Sequence, residues 1–321
     1  MDQINSALRS EPDFDVSSAT RVPTAPEFKA IDRKIGGLMV NRWTYQPLRY
    51  LTRFLVPKPD TAQVSIRDVS DAGRGALLVT PDTRKGAGAI LLIHGGGFVI
   101  GSNKEVLGTA CKFARALGVP VLCPSYGLGP QEPFPKGLSD LHAAWHWLQD
   151  QAKTMGGVDP SKVVVGGVSA GGGMAAGLVQ RLHDEGGVQP AAQLLIYPML
   201  DDRTAANRDF DSPRHRCWSN KSNFFGWTSY LGQAPGLEPK PYAVPGRREN
   251  LSGLPPTWIG VGTSDLFLDE DRAYSKRLQD ASVEVSYVEV EGAIHAFDVE
   301  ETPSSIAFAT SQIDFMVKWV S

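Results

Sequence analysis

The chain has 321 residues, a formal net charge of −3 and a pI near 6.1. Its 32 basic and 35 acidic side chains create no field that would recruit nucleic acid or an anionic membrane surface, and its length suffices for a large core. Three cysteines without close spacing (Cys111, Cys123, Cys217) argue against a disulfide framework or zinc site, and no apolar run reaches membrane-spanning length. Met1 to Ser18 is polar and acidic, without the basic-then-apolar order of a secretory leader, so a cytoplasmic location is expected.

In chain order, Phe28 to Leu55 carries helix-like apolar spacing that includes Ile35, Leu38, Met39 and Trp43. Residues 1–55 are expected to form an N-terminal cap segment. Val64 to Val69 and Ala76 to Thr80 read as strands of a hairpin around Asp71-Ala72-Gly73. Strict alternation follows. Strand Ala89–His94 precedes a helix with Val106, Ala110, Phe113 and Leu117 on one face. Strand Val119–Cys123 precedes a helix with Leu138, Leu141, Trp145 and Leu148. After the run Val163 to Val165, a helix carries Met174, Leu178 and Leu182, and strand Gln193–Tyr197 comes next. Thr257–Gly262 and Val283–Val290 complete the strands, and Ala309, Ile313, Met316 and Val320 mark a closing helix. Such alternation predicts one α/β domain over 1–321, a mostly parallel sheet with helices on both faces.

Two glycine-rich segments punctuate the pattern. His94-Gly95-Gly96-Gly97-Phe98 follows a strand and leaves backbone N–H groups unshielded, as an oxyanion hole requires. Gly167-Val168-Ser169-Ala170-Gly171 lies between a strand and a helix, the context of a strained turn that holds a serine nucleophile exposed. The N–H of Ala170, next after that serine, would join Gly96 and Gly97 as oxyanion donors. Neither segment ends in the Gly-Lys-Ser or Gly-Lys-Thr of a phosphate-binding loop.

A serine hydroxyl needs a base, and the base needs an acid to orient it. His295 and Asp265 each sit just past the carboxyl end of an expected strand, where α/β sheets place their chemistry. Among the other histidines, His183 lies on a polar helix end and His215 in an irregular basic stretch. His142 and His146 fall on an amphipathic helix as packing or surface residues, and His94 precedes the nucleophile. For the acid, Asp269 competes but falls in a helix's first turn, where acidic side chains suit the dipole, and Asp298 is a weaker rival. The expected triad is Ser169, Asp265 and His295.

From about Ile90 to Phe297 the sequence resembles the hormone-sensitive lipase family of α/β-hydrolases, the bacterial family IV esterases. The resemblance rests on His94 to Gly97, Pro133-Phe134-Pro135, Gly167 to Gly172, Leu254-Pro255-Pro256, Asp265 to Glu270 and His295-Ala296-Phe297. It implies a helical cap and an α/β-hydrolase fold. It also implies Ser169 as nucleophile, Asp265 as acid, His295 as base, and Gly96, Gly97 and Ala170 as oxyanion donors, with no metal or organic cofactor. Relatively short acyl chains and a homodimer are implied as well. This chain departs from the family pattern at Val168, at Leu266 and at Ala296. In Tyr126-Gly127-Leu128-Gly129-Pro130 the family's arginine is missing, so any ion pair it anchors must be absent or replaced.

Residues 203–245 interrupt the alternation and are expected to be a cap insertion over the catalytic rim. Its aromatic residues Trp218, Phe224, Phe225, Trp227 and Tyr230 either line a substrate pocket or pack the insertion's own core; Trp218 is the candidate substrate-binding residue. Arg214-His215-Arg216 reads as a solvated basic face. The expected function is hydrolysis of a small-molecule carboxylic ester through an acyl-enzyme. An amidase, formamidase or acyltransferase with the same triad, or a non-catalytic ligand-binding relative, is the alternative.

Overall fold

The computed structural model describes residues 22–35, 37, 39–54, 56–152, 157–211 and 215–321. Its strands are β1 (Val64–Val69), β2 (Ala76–Pro81), β3 (Ala89–Ile93), β4 (Val121–Pro124), β5 (Val163–Val168), β6 (Ala192–Ile196), β7 (Thr257–Gly262) and β8 (Val285–Val290). They form one sheet in the order β1-β2-β4-β3-β5-β6-β7-β8. β2 pairs antiparallel with both β1 and β4, and every other pairing is parallel. The helices are α1 (Lys29–Ile35), α2 (Tyr45–Phe54), α3 (Leu107–Leu117), α4 (Lys136–Gln151), α5 (Ala170–Glu185), α6 (Asp202–Ala206), α7 (Asn220–Leu231), α8 (Leu268–Asp280) and α9 (Pro303–Val320).

The residue sequence explains this layering. β3 and β7 are buried along their whole length, as parallel strands covered on both faces must be. Successive side chains point to opposite faces, so β3 splits between two cores. Leu91 and Ile93 join α4, α5 and α8, whereas Ile90 and Leu92 join α3 and α9. The edge strand β1 has several exposed residues and is capped by its hairpin partner. α9 begins with Pro303 behind a reciprocal Thr302–Ser305 cap, which satisfies two otherwise orphaned N–H groups.

The N-terminal segment departs from expectation. The apolar spacing from Phe28 to Leu55 does not make one helical stripe: a turn separates α1 from α2, and Met39 and Trp43 are exposed. Asn41 supplies the physical reason, since its side-chain oxygen accepts from the N–H groups of Trp43 and Thr44 and starts a new helix. Leu38 and Leu55 lie outside the described residues, as does Met1 to Ser18. The segment straps the carboxyl rim of the sheet. Ala25 N–H donates to the Gly292 carbonyl (3.0 Å), Val40 N–H to Ser222 Oγ (3.0 Å) and Arg49 Nε to the Val99 carbonyl (2.7 Å).

The basic stretch is a second correction. Arg214 is outside the described residues, but Arg216 is not a solvated cation: it is half-buried, and its guanidinium pairs with Asp32 of α1. Burial beside the N-terminal segment gave this side chain a partner that no local pattern announces. No helix among the described residues is long and apolar enough to cross a membrane.

Candidate active site

The site lies at the carboxyl ends of β3, β5, β7 and β8. Between β5 and β8 stand β6 and β7, so the ends of β5 and β8 are about 14 Å apart at roughly 4.8 Å per strand. Loops must bridge that gap. The turn after β5 sets Ser169 at φ 56° and ψ −120°, a sparsely populated conformation costing roughly 1–3 kcal/mol. Ser169 N–H donates to the Ile196 carbonyl (2.9 Å), and its own carbonyl accepts from Gly173 and Met199, so three backbone bonds maintain that strain. A Cβ on Gly167 would fall 2.1 Å from the Gly171 carbonyl oxygen, and one on Gly171 would fall 2.3 Å from the carbonyl oxygens of Ile93 and His94. Side chains there would drive α5 off the end of β3.

Three buried side chains form a chain of hydrogen bonds. The Ser169 hydroxyl lies 2.9 Å from His295 Nε2, and His295 Nδ1 lies 2.7 Å from Asp265 Oδ2. With Nδ1–H donating to the carboxylate, Nε2 is left to accept the serine proton. The other Asp265 oxygen accepts from Phe267 N–H at 3.1 Å, so the carboxylate cannot swing away. The rings of Tyr197 and Phe267 pack edge-on against the imidazole at 4.8 and 5.2 Å. Of the rival acids, Asp269 is exposed on the first turn of α8, and Asp298 accepts from the Tyr197 hydroxyl at 2.7 Å. Burial pushes the Asp298 carboxyl up from its ordinary pKa.

The loop after β3 runs beside the turn at Ser169. Gly96 and Gly97 have φ of 109° and 57°, and the Gly96 carbonyl accepts from Val99 and Ile100, which closes the loop on itself. A Cβ on Gly95 would sit 3.3 Å from that of Ser169, so the loop and the elbow touch. Ala170 is the first residue of α5, and its N–H has no partner four residues back. The N-terminus of α5, with its unpaired N–H groups, favours negative charge on an oxygen placed before it. His94 anchors the loop: its Nδ1–H donates to the Gly95 carbonyl (2.8 Å), and its ring stacks on Tyr126 at 4.4 Å. Burial lowers the His94 pKa from 6.5 to about 4.

Trp218 sits on this loop. A Cβ on Gly97 would be 2.0 Å from its ring, and one on Gly226 would be 2.6 Å from the Gly97 carbonyl oxygen. Trp218 is 5% exposed. Trp227 and Tyr230 pack on Phe98 with ring centroids 4.8 and 4.3 Å away, and Phe225 packs on Tyr45 at 5.4 Å. Phe224 lies under Arg208 instead. These aromatics therefore buttress the loop after β3 from the insertion between β6 and β7.

At the segment without the family's arginine, Asp140 gathers the local charge. Asp140 accepts from Gly127 N–H (3.0 Å) and pairs with Lys136, while Arg74 approaches it at 4.0 Å. Sequence reasoning missed Glu270, a buried acid that accepts from the N–H groups of Leu200 (2.7 Å) and Asp201 (3.2 Å) and from the Thr204 hydroxyl. It ties α8, which begins just past Asp265, to the start of the insertion; burial pushes its pKa well above the ordinary value. The signal was helical phase, because Phe267, Glu270, Tyr274 and Leu278 share the buried stripe of α8.

A strained serine, a histidine and an aspartate in line, beside a glycine-rich loop, define the serine-hydrolase class of site. Comparison with known proteins agrees. A family model described as alpha/beta hydrolase fold matches residues 90–299. Esterase LipI of Mycobacterium tuberculosis is 33% identical over 214 residues, covering 66% of each chain, and an ethyl acetate hydrolase of Pseudomonas putida is 30% identical over 65% of each. The matches thus span about two thirds of these relatives' length. The solved structure of a bacterial heroin esterase superposes with a TM-score of 0.83 at 31% identity, over 93% of this chain and 98% of that one. The chain belongs to this α/β-hydrolase family, in the hormone-sensitive lipase group that its motifs resemble.

Proposed function

We propose that the protein is a serine carboxylic-ester hydrolase acting through an acyl-enzyme. The observation that carries this reading is the unbroken relay from Ser169 through His295 to Asp265, at 2.9 and 2.7 Å, alongside Gly96 and Gly97. Ser169 Oγ attacks the ester carbonyl as His295 Nε2 takes its proton. Asp265 holds the imidazole in the required tautomer and stabilises the imidazolium. N–H groups of Gly96, Gly97 and Ala170 receive the oxyanion, each contributing about 2.7–4 kcal/mol. His295 then returns the proton to the leaving alcohol, and water, deprotonated by the same nitrogen, releases the acid and restores Ser169.

The substrate is a small ester with a short to medium acyl group. Trp218 closed down on Gly97 supports this, as do relatives described as an ethyl acetate hydrolase and an acetyl-hydrolase. Residues 26–54 and the insertion after β6 act as the cap, with Trp218 as the wall of the acyl pocket. A cytoplasmic location is supported by three free thiols. The homodimer implied by the resemblance is checked by sedimentation.

Nitrophenyl esters graded by acyl length give the test, together with an organophosphonate label located by mass spectrometry. Fast turnover of the short esters and an adduct on Ser169 are expected. A ligand-binding relative would show neither, and an acyltransferase would divert acyl groups to an added alcohol or amine.

A further inference from the structure

Away from the triad, three side chains that the ester chemistry does not use converge on one point. His142 and His146 lie one turn apart on α4, and Glu185 is the last residue of α5. His142 Nε2 is 2.6 Å from Glu185 Oε2 and 3.1 Å from His146 Nε2, and one ligand atom from each residue lies within 4.8 Å of the other two. The second Glu185 oxygen is taken by Arg181 Nε at 2.7 Å, which holds the carboxylate with Oε2 toward the imidazoles. The two histidines are surface residues, as the sequence suggests, and they also face each other and a carboxylate. Atoms of this kind are held together by shared protons or by a cation.

We propose that His142, His146 and Glu185 form a zinc site that clamps α4 to the end of α5. Two imidazole nitrogens and a carboxylate oxygen are a donor set zinc accepts, at about 2.0–2.2 Å from the metal. Ligands at that radius in a tetrahedron stand roughly 3.4 Å apart; the 2.6 and 3.1 Å separations need a small opening, and the third, within 4.8 Å, lies inside the reach of side-chain adjustment. His146 and Glu185 are exposed, which gives water access to the fourth position. Binding needs the lone pair at His142 Nε2, so the proton shared there with Glu185 moves to Nδ1 of the neutral ring and the carboxylate oxygen turns to the metal. Glu185 is at the opposite end of a 16-residue helix from the nucleophile, roughly 24 Å away, so the clamp stabilises the scaffold and leaves the ester chemistry alone.

Titration of the full chain with zinc chloride by calorimetry, in a non-chelating buffer, tests the site. Wild type should bind one zinc and gain roughly 3–6 °C in thermal midpoint at saturation. His146→Ala and Glu185→Gln should each weaken binding at least about tenfold and abolish the gain, with kcat/KM for a short ester unchanged. His146 is exposed, so its removal leaves the core intact. Cupric ion on wild type should show nitrogen hyperfine coupling that His146→Ala reduces. Absence of zinc binding at 1 mM (about the weakest useful affinity), or wild-type affinity in a variant carrying both His146→Ala and Glu185→Gln, overturns the proposal.

Discussion

The rim at the ends of β3, β5, β7 and β8 and the insertion between β6 and β7 are built by different means. The rim is a backbone construction. Positive φ at Ser169, Gly96 and Gly97, carbonyls within van der Waals reach of Gly167 and Gly171, and the bond from Phe267 N–H to Asp265 set each functional atom. The insertion is a side-chain construction, in which Trp218, Trp227 and Tyr230 pack onto Gly97 and Phe98 from outside. It also tolerates looser polar accounting. Thr228 and Ser229 of α7 carry buried hydroxyls, and Trp227 a buried indole N–H, without partners among the described residues. A backbone-built site tolerates little change, whereas a side-chain-built wall can vary in size while the chemistry stays.

The comparison breaks most sharply at the nucleophile. Ser169→Ala should cost roughly 10⁶-fold in kcat and Asp265→Asn roughly 10⁴-fold, both with native circular dichroism. Near-wild-type turnover of the aspartate variant would move the acid's role to Asp298. Gly97→Ala forces a methyl into Trp218 and should lower kcat/KM by about 100-fold through a displaced oxyanion loop. Trp218→Ala alone should shift preference toward longer acyl chains. The double variant should recover part of the Gly97→Ala loss, a coupling of about 0.5–3 kcal/mol. Strict additivity would mean that the wall and the loop do not share a contact.

A pH series sharpens the same contrast at the base of the loop after β3. The His94 pKa is about 4 in the folded protein against 6.5 as its ordinary value, so the unfolded chain takes up the proton first as pH falls. Stability from this residue is full above 6.5 and is lost progressively down to about 4, by roughly 3 kcal/mol in total. Urea unfolding at pH 7 and 4.5 should show a loss about 2–3 kcal/mol larger in wild type than in His94→Gln. Equal losses would place the acid sensitivity elsewhere. The smallest effect is at Ala296, where a non-glycine residue sits at φ 59°. Ala296→Gly should stabilise by about 0.5–1 kcal/mol, because relief of the left-handed backbone outweighs the added freedom of the unfolded chain.

Strand and helix order, the turn at Ser169 and the three residues of the Ser169–His295–Asp265 hydrogen-bonded chain are legible along the sequence because each rests on local rules. Fully buried parallel strands read as continuous apolar runs, a tight strand-to-helix turn needs glycines, and ligand chemistry gathers past strand ends. Phase on α8 would also have shown Glu270 facing inward, although its partners Leu200 and Thr204 lie about seventy positions upstream. Other features had no local signature. The partner of Arg216 is Asp32, 184 residues away, and Lys136 and Arg74 gather around Asp140. Spacing alone leaves the aromatics of the insertion divided between pocket and packing, and their contacts with Phe98 and Gly97 are visible only in the fold. Residue order carries what backbone sterics and periodicity dictate within a few neighbours. Which side chain meets which across the rim depends on how separate elements close around a shared volume, and only the folded chain decides that.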